Sequence, residues 1–278
     1  IMGVVNVTPD SFSDGGRFYD HNAAVSQGEK LAAEGAAVID IGGESTRPFS
    51  EPIAVEEEIR RVVPVIERLA ERISVPISID TTKAEVARRA LDAGAAIIND
   101  VSALRFDPGI AALTAESDTP LILMHMLGEP KSMQVLPRYD NLIEEILTFL
   151  KDAVKRAENQ GVSRAKIIVD PGIGFGKTTS HNLLLIKHLQ TFTRLDLPIL
   201  IGTSRKAFIR KILKDPHAQD IRPDLPIVAN GTQATVAAAI LNGAHIVRVH
   251  NVSNTIATVK ILDALMNVQD REGMAQRA

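Results

Sequence analysis

Short runs rich in β-branched residues recur along the chain, at residues 2–5, 37–41, 77–79, 97–98, 121–124, 167–169, 199–201 and 246–249. Several show no polar alternation, which is the pattern of parallel strands buried on both faces. Longer amphipathic stretches separate them. Residues 141–160 place Ile143, Ile146, Leu147, Leu150, Ala153 and Val154 on one helical face, and Gly161 predicts the stop. Thr82-Lys-Ala-Glu85 predicts a capping box opening a helix that runs through Ala93, with Gly94 behind it. Residues 55–70 are periodic too, but Pro64 among them predicts a kink or a break.

Each run closes on a polar residue: Asn6, Asp40, Asp80, Asn99, His125, Asp170, Thr203 and Arg248. These recur about every 35 residues, the length of one strand plus its crossover helix. Eight such units with right-handed crossovers predict an α/β fold, a single (β/α)8 TIM barrel forming one domain over residues 1–278. An open doubly wound sheet is the alternative, and it has no need of eight similar units.

Composition narrows the function classes. Of 278 residues 45% are hydrophobic but only 4% aromatic, with no Trp, so the core must be built from Ala, Val, Ile and Leu. Lys and Arg number 31 against 34 Asp and Glu, a net charge of −3 without a basic block, which excludes a dedicated nucleic-acid binder. The chain has no cysteine, which removes disulfides, thiolate zinc sites and Cys nucleophiles and suits a reducing cytoplasm, the expected location. No apolar run approaches the ~18 residues of a membrane span, so no membrane partner is expected. Because the chain opens on Ile1, a few residues are expected to precede it.

Barrels carry their chemistry at the C-terminal ends of the strands. One Asp after a strand is commonly just a helix N-cap. Asp80, Asn99, Asp100 and Asp170 at neighbouring strand ends predict instead one polar mouth, suited to a flat heterocycle rich in donors and acceptors. The segment 170–178, DPGIGFGKT, is neither of two phosphate motifs it suggests. A Walker A loop requires Gly where Pro171 stands, and G-x-G-x-G is not the dinucleotide fingerprint. What remains is a strand-end carboxylate and a loop whose glycines permit close backbone approach. Thr203-Ser204-Arg205-Lys206 reads as an anion site at a helix start, and alternation puts Arg248 and His250 on one side of their strand, fit for a diphosphate or a ring face. Residues 6–16 and 42–48 have the Gly, Pro and hydroxyl content of loops that close over a substrate.

Read together, these segments resemble dihydropteroate synthase. The resemblance runs from Met2 to about Val252 and rests on MGVVNVTPDSFSDGG (2–16), DIGGESTRP (40–48), SIDT (78–81), IIND (97–100), LMHM (123–126), DPGIGFGK (170–177), SRK (204–206) and RVH (248–250). It implies condensation of a dihydropterin bearing a 6-hydroxymethyl diphosphate with 4-aminobenzoate, giving 7,8-dihydropteroate and diphosphate. It also implies the roles. Asp170, Lys206 and Arg248 form the catalytic set. Asp170, Asn99 and Asp80 read the pterin edge, Lys206 donates to its 4-oxo and N5 side, and Arg248 covers the ring. Thr46, Arg248 and His250 hold the diphosphate, with Arg47 beside them, and Mg²⁺ bridges it to Asn6. Phe12, Pro48, Phe175 and Ser204 surround 4-aminobenzoate, where sulfonamides would compete. The reaction is expected to be dissociative, and the assembly a homodimer. Two other readings stand against this one. A methyltetrahydrofolate:corrinoid methyltransferase would leave the diphosphate-binding set unexplained, and a catalytically silent pterin-binding paralogue would show a broken anion cluster or shortened loops.

Overall fold

All eight apolar runs form strands in the computed structural model, which describes residues 1–8, 21–46 and 50–268. They are β1 (Met2–Asn6), β2 (Val38–Gly42), β3 (Ile77–Asp80), β4 (Ile97–Asp100), β5 (Leu121–Met124), β6 (Ile167–Asp170), β7 (Leu200–Ile201) and β8 (Ile246–Val249). Every pairing is parallel, in the order β6-β5-β4-β3-β2-β1-β8-β7. A parallel bridge from Val169 to Ile199, with the Val169 N–H on the Pro198 carbonyl (3.0 Å), brings β6 against β7. The expected (β/α)8 barrel is therefore the fold, and the open sheet is not.

The helices are α1 (His21–Ala33), α2 (Val55–Ala70), α3 (Ala84–Asp92), α4 (Gly109–Ser117), α5 (Leu142–Asn159), α6 (Thr179–Lys187), α7 (Ala207–Leu213), α8 (Pro226–Leu241) and α9 (Val252–Asn267). None is long and apolar enough to cross a membrane. The outward strand residues Ile39, Ile41, Ile79, Ile98 and Val169 pack against buried helix residues such as Val62, Ile66, Leu69, Ile146 and Leu150. Each such side chain contributes about 1.5–3 kcal/mol by leaving water. Asn141 caps α5, accepting from the Glu144 N–H, and Gly161 at φ +93° follows its end, as the pattern predicts.

Neither a break at Pro64 nor the capping box at Thr82 forms. The α2 helix runs unbroken through Pro64, because Val62, Val65, Ile66 and Leu69 bury one continuous stripe that holds the turns on either side. Lys83 is the N-cap residue of α3 and its side chain makes no capping bond, and Asp107, from a later loop, accepts the Ala84 N–H at 2.7 Å instead. A carboxylate brought in by tertiary structure satisfies the donor that the local motif was expected to satisfy.

The barrel interior changes character along its axis. Its floor is a cluster of Met2, Ile122 and Leu200, ringed by Val38, Ile97, Ile168 and Ile246. One pleat further along the same strands stand Asp40, Asn99, Asp170 and Arg248. Since strand side chains alternate with period two, these four share the inward face of the apolar floor beneath them. An apolar plug thus supports a polar mouth.

Candidate active site

Arg248 ties the mouth together. Its Nε donates to Asp40 Oδ2 at 2.6 Å and its Nη2 to Asp80 Oδ2 at 2.7 Å. Asn99 Nδ2 donates to the same Asp40 oxygen at 3.3 Å. Burial drives the Asp80 carboxyl up from its ordinary value, and the Arg248 charge pulls it back. Asp40 was read as the closing residue of the second run. The strand continues to Gly42, so Asp40 lies one pleat deeper and is 0% exposed. Its Oδ1 and the Ser78 hydroxyl are buried without a hydrogen-bond partner among the described residues.

Asp170 ends β6 on the same inward face. Its Oδ1 accepts the Gly172 N–H at 2.7 Å. Burial raises its pKa to about 6, against the pull of that N–H and of the Lys206, Lys177 and Arg248 charges. Lys177 on the loop after β6, Lys206 at the start of α7 and Arg248 on β8 therefore all lie within electrostatic reach of one carboxylate. The glycines that follow serve geometry. Gly172 has φ +73°, and a Cβ there would lie 1.9 Å from the His125 carbonyl oxygen; Gly174 has φ +84°, and a Cβ would lie 3.1 Å from Lys206 Cδ. The loop can therefore pass under Lys206, whose Nζ sits 4.2 Å from the centre of the Phe175 ring.

Asp100 does not join the mouth. Alternation turns it outward from Asn99, and its carboxylate shapes the following turn. It accepts from the Ser102 N–H (2.8 Å), the Ser102 hydroxyl (2.7 Å) and the Leu104 N–H (2.6 Å). On the opposite rim, His250 Nδ1 lies 3.0 Å from the buried Ser204 hydroxyl oxygen, which also accepts the His250 N–H at 3.3 Å. Lys206 is the N-cap residue of the short α7, while Arg205 is exposed at φ +59° with its N–H on Thr232 Oγ1.

Asn6 ends β1, in register with Gly42, which in turn pairs with Asp80. Thr46 and Asp80 line a cavity of about 520 Å³ that spreads over the loops after β2 and β3. Lys83 bridges Glu44 on the first of these loops to the buried Glu58 of α2 (2.6 Å to Glu58 Oε2). Phe12, Arg47 and Pro48 lie outside the described residues.

Sequence reasoning gave no site role to Asp40, to the Lys83 pair of salt bridges or to Lys177. Asp40 had a signal, since it stands two residues after Val38 and two before Gly42 on one face. Lys177 was set aside together with the phosphate motif it superficially completes. It is 3% exposed, its Nζ donating to the Phe175 carbonyl (2.9 Å) and lying 2.9 Å from His125 Nδ1. Burial depresses its pKa well below the ordinary lysine value, and Asp170 pulls it back.

The pterin binding enzyme family matches residues 2–250 of this chain. A dihydropteroate synthase from Synechocystis sp. is 46% identical over 265 residues, covering 95% of this chain and 89% of the relative. The chain belongs to the dihydropteroate synthase family. A dihydropteroate synthase structure from Xanthomonas albilineans with 4-aminobenzoic acid superposes with a TM-score of 0.88 at 44% identity, covering 96% of this chain and 93% of that one. A second, from the same organism in complex with 7,8-dihydropteroate, has a TM-score of 0.85 at 41% identity and covers 96% and 94%. The family match thus spans the whole barrel, from β1 to β8.

Proposed function

We propose that this chain condenses (7,8-dihydropterin-6-yl)methyl diphosphate with 4-aminobenzoate, releasing diphosphate and forming 7,8-dihydropteroate in folate synthesis; it is a transferase. The observation that carries the reading is Asp170, a buried carboxylate on the barrel's inward face with Lys206 and Arg248 within reach of its charge. An ionised carboxylate accepts two parallel hydrogen bonds, which matches the 2-amino and ring N–H edge of a pterin. Asn99, which both donates and accepts, would read the adjoining nitrogens, with Asp80 completing that edge. Lys206, held over Phe175, would donate to the 4-oxo and N5 side. Arg248, braced by Asp40 and Asp80, would cover the ring and face the leaving group.

Thr46, Arg47 and His250 would receive the diphosphate, while Phe12, Pro48, Phe175 and Ser204 would enclose 4-aminobenzoate. The pterin methylene C–O bond breaks first, its electron pair leaving with diphosphate, and the resulting cation is delocalised into the ring. The aniline nitrogen then attacks and its proton passes to diphosphate or water. No general base is needed, because an aniline is a free nucleophile near neutral pH; the protein stabilises the leaving group and positions the amine. Among the described residues no group of three or more His, Asp or Glu side chains could hold a metal ion. Mg²⁺ would then fit as substrate-borne, ligated by phosphate oxygens and water with the Asn6 carboxamide as the protein donor, and it would offset leaving-group charge. Exposed Leu241 on α8 and Ile261, Leu265 and Met266 on the adjoining α9 supply apolar surface for the expected homodimer.

The test is diphosphate release from the pterin diphosphate with Mg²⁺, with and without 4-aminobenzoate. Release that depends on 4-aminobenzoate and yields dihydropteroate supports the reading. Tight pterin binding with no release under either condition would overturn it in favour of a silent pterin binder.

A further inference from the structure

The loop after β6 holds a buried lysine amine, Lys177, that the proposed chemistry does not use. Lys177 Nζ donates to the Phe175 carbonyl at 2.9 Å and meets His125 Nδ1 at 2.9 Å. His125 follows β5 directly, and its N–H donates to the Asp170 carbonyl at 2.9 Å. Its ring stands edge-on to Phe149, with 4.7 Å between centroids. Burial and the neighbouring Lys177 and Arg105 charges drive the His125 pKa down to about 2, so the ring stays neutral and able to accept. Burying a lysine amine is costly, and its bonds to the Phe175 carbonyl and His125, with the nearby Asp170 charge, offset part of that cost.

What it holds is the Phe175 peptide, and the Phe175 ring lies under the Lys206 ammonium. The flanking peptides are held from outside as well. Gln134 Nε2 donates to the Gly174 carbonyl (2.6 Å), Asn182 Oδ1 accepts the Gly174 N–H (2.7 Å), and the Tyr139 hydroxyl donates to the Gly176 carbonyl (2.9 Å). Glycines 172, 174 and 176 all have positive φ, so the loop has little stiffness of its own and takes its shape from these bonds.

We propose that Lys177, seated on His125, is a positioning residue for the transfer reaction, fixing the Phe175 peptide and through it the place of the Lys206 ammonium. The inference rests on the proposed function, which assigns Lys206 to the pterin.

Lys177→Met keeps the stem and removes the amine. His125→Leu removes its acceptor, and His125→Asn retains one near the Nδ1 position. For each variant, urea unfolding, kcat, and KM for both substrates are measured, with pterin affinity read in parallel by calorimetry. Lys177→Met and His125→Leu should raise KM for the pterin diphosphate about tenfold with kcat changed no more than about twofold, while His125→Asn stays within about threefold of wild type. In a Lys206→Met background, Lys177→Met should add no further loss of pterin affinity, because it acts through the missing ammonium. An unchanged KM, or losses that simply add in that background, overturns the inference. If Lys177→Met fails to fold, wild-type KM and affinity in His125→Leu overturn it equally. A wild type that binds pterin but makes no dihydropteroate overturns the proposed function instead, and the affinity measurements still decide on Lys177.

Discussion

Replacing Asp40 by asparagine tests the polar layer that the strand register creates. Asp40 is fully buried and its Oδ2 receives both Arg248 Nε at 2.6 Å and Asn99 Nδ2 at 3.3 Å. The carboxamide preserves volume and one acceptor oxygen but removes the charge that balances the guanidinium. Stripping a buried cation of its whole partner set costs about 3–5 kcal/mol. Here Asp80 remains at 2.7 Å, so the loss is that of one charge-assisted hydrogen bond, about 2 kcal/mol. In a barrel of this size that lowers Tm by about 3–4 °C. Arg248 is then drawn wholly toward Asp80, away from the pterin and diphosphate, and kcat/KM should fall about tenfold or more. Asp80, relieved of a like charge, should ionise at lower pH, because Asp40 is among the groups that raise it. Urea titration with linear extrapolation gives the stability change, and steady-state kinetics the rest. Wild-type stability together with wild-type kcat/KM in Asp40→Asn would refute the assignment of Asp40 as the brace of Arg248.

The acid limb of kcat/KM for the pterin diphosphate should follow Asp170. The ionised form accepts the pterin edge, so activity is full above its raised pKa and is lost as pH falls through about 6; a profile flat to pH 5 contradicts this. Gly172→Ala should destabilise by more than about 2 kcal/mol, since φ +73° strains any L side chain and a Cβ would stand 1.9 Å from the His125 carbonyl oxygen. An unchanged urea midpoint would show that the loop relaxes freely. Sulfonamide inhibition should be relieved by added 4-aminobenzoate, and an inhibition curve that 4-aminobenzoate does not move removes the shared pocket.

The eight apolar runs, their spacing and the helical stripe over residues 141–160 were legible because burial imposes its period on neighbouring residues, and periods of two and 3.6 are visible along a chain. For the same reason the strand ends Asp80, Asn99 and Asp170 could be picked out as one set, although Asp100 was wrongly placed with them. The depth of Asp40 and the outward turn of Asp100 were also implicit in alternation, once the strands are extended to Gly42 and Asp100. Other features had no local signal at all. Asp107 caps α3 from 23 residues away, Arg248 pairs with Asp40 across 208, and Lys177 meets His125 across 52. Pro64 predicted a kink or a break, and burial of the α2 stripe keeps the helix unbroken. The sequence by itself determined the barrel and the side of it on which polar groups gather, because both follow from which faces avoid water. Which of those groups pair, how deep each lies and what its charge costs were decided only by closure of the barrel, because electrostatics and desolvation depend on distance in space and not on distance along the chain.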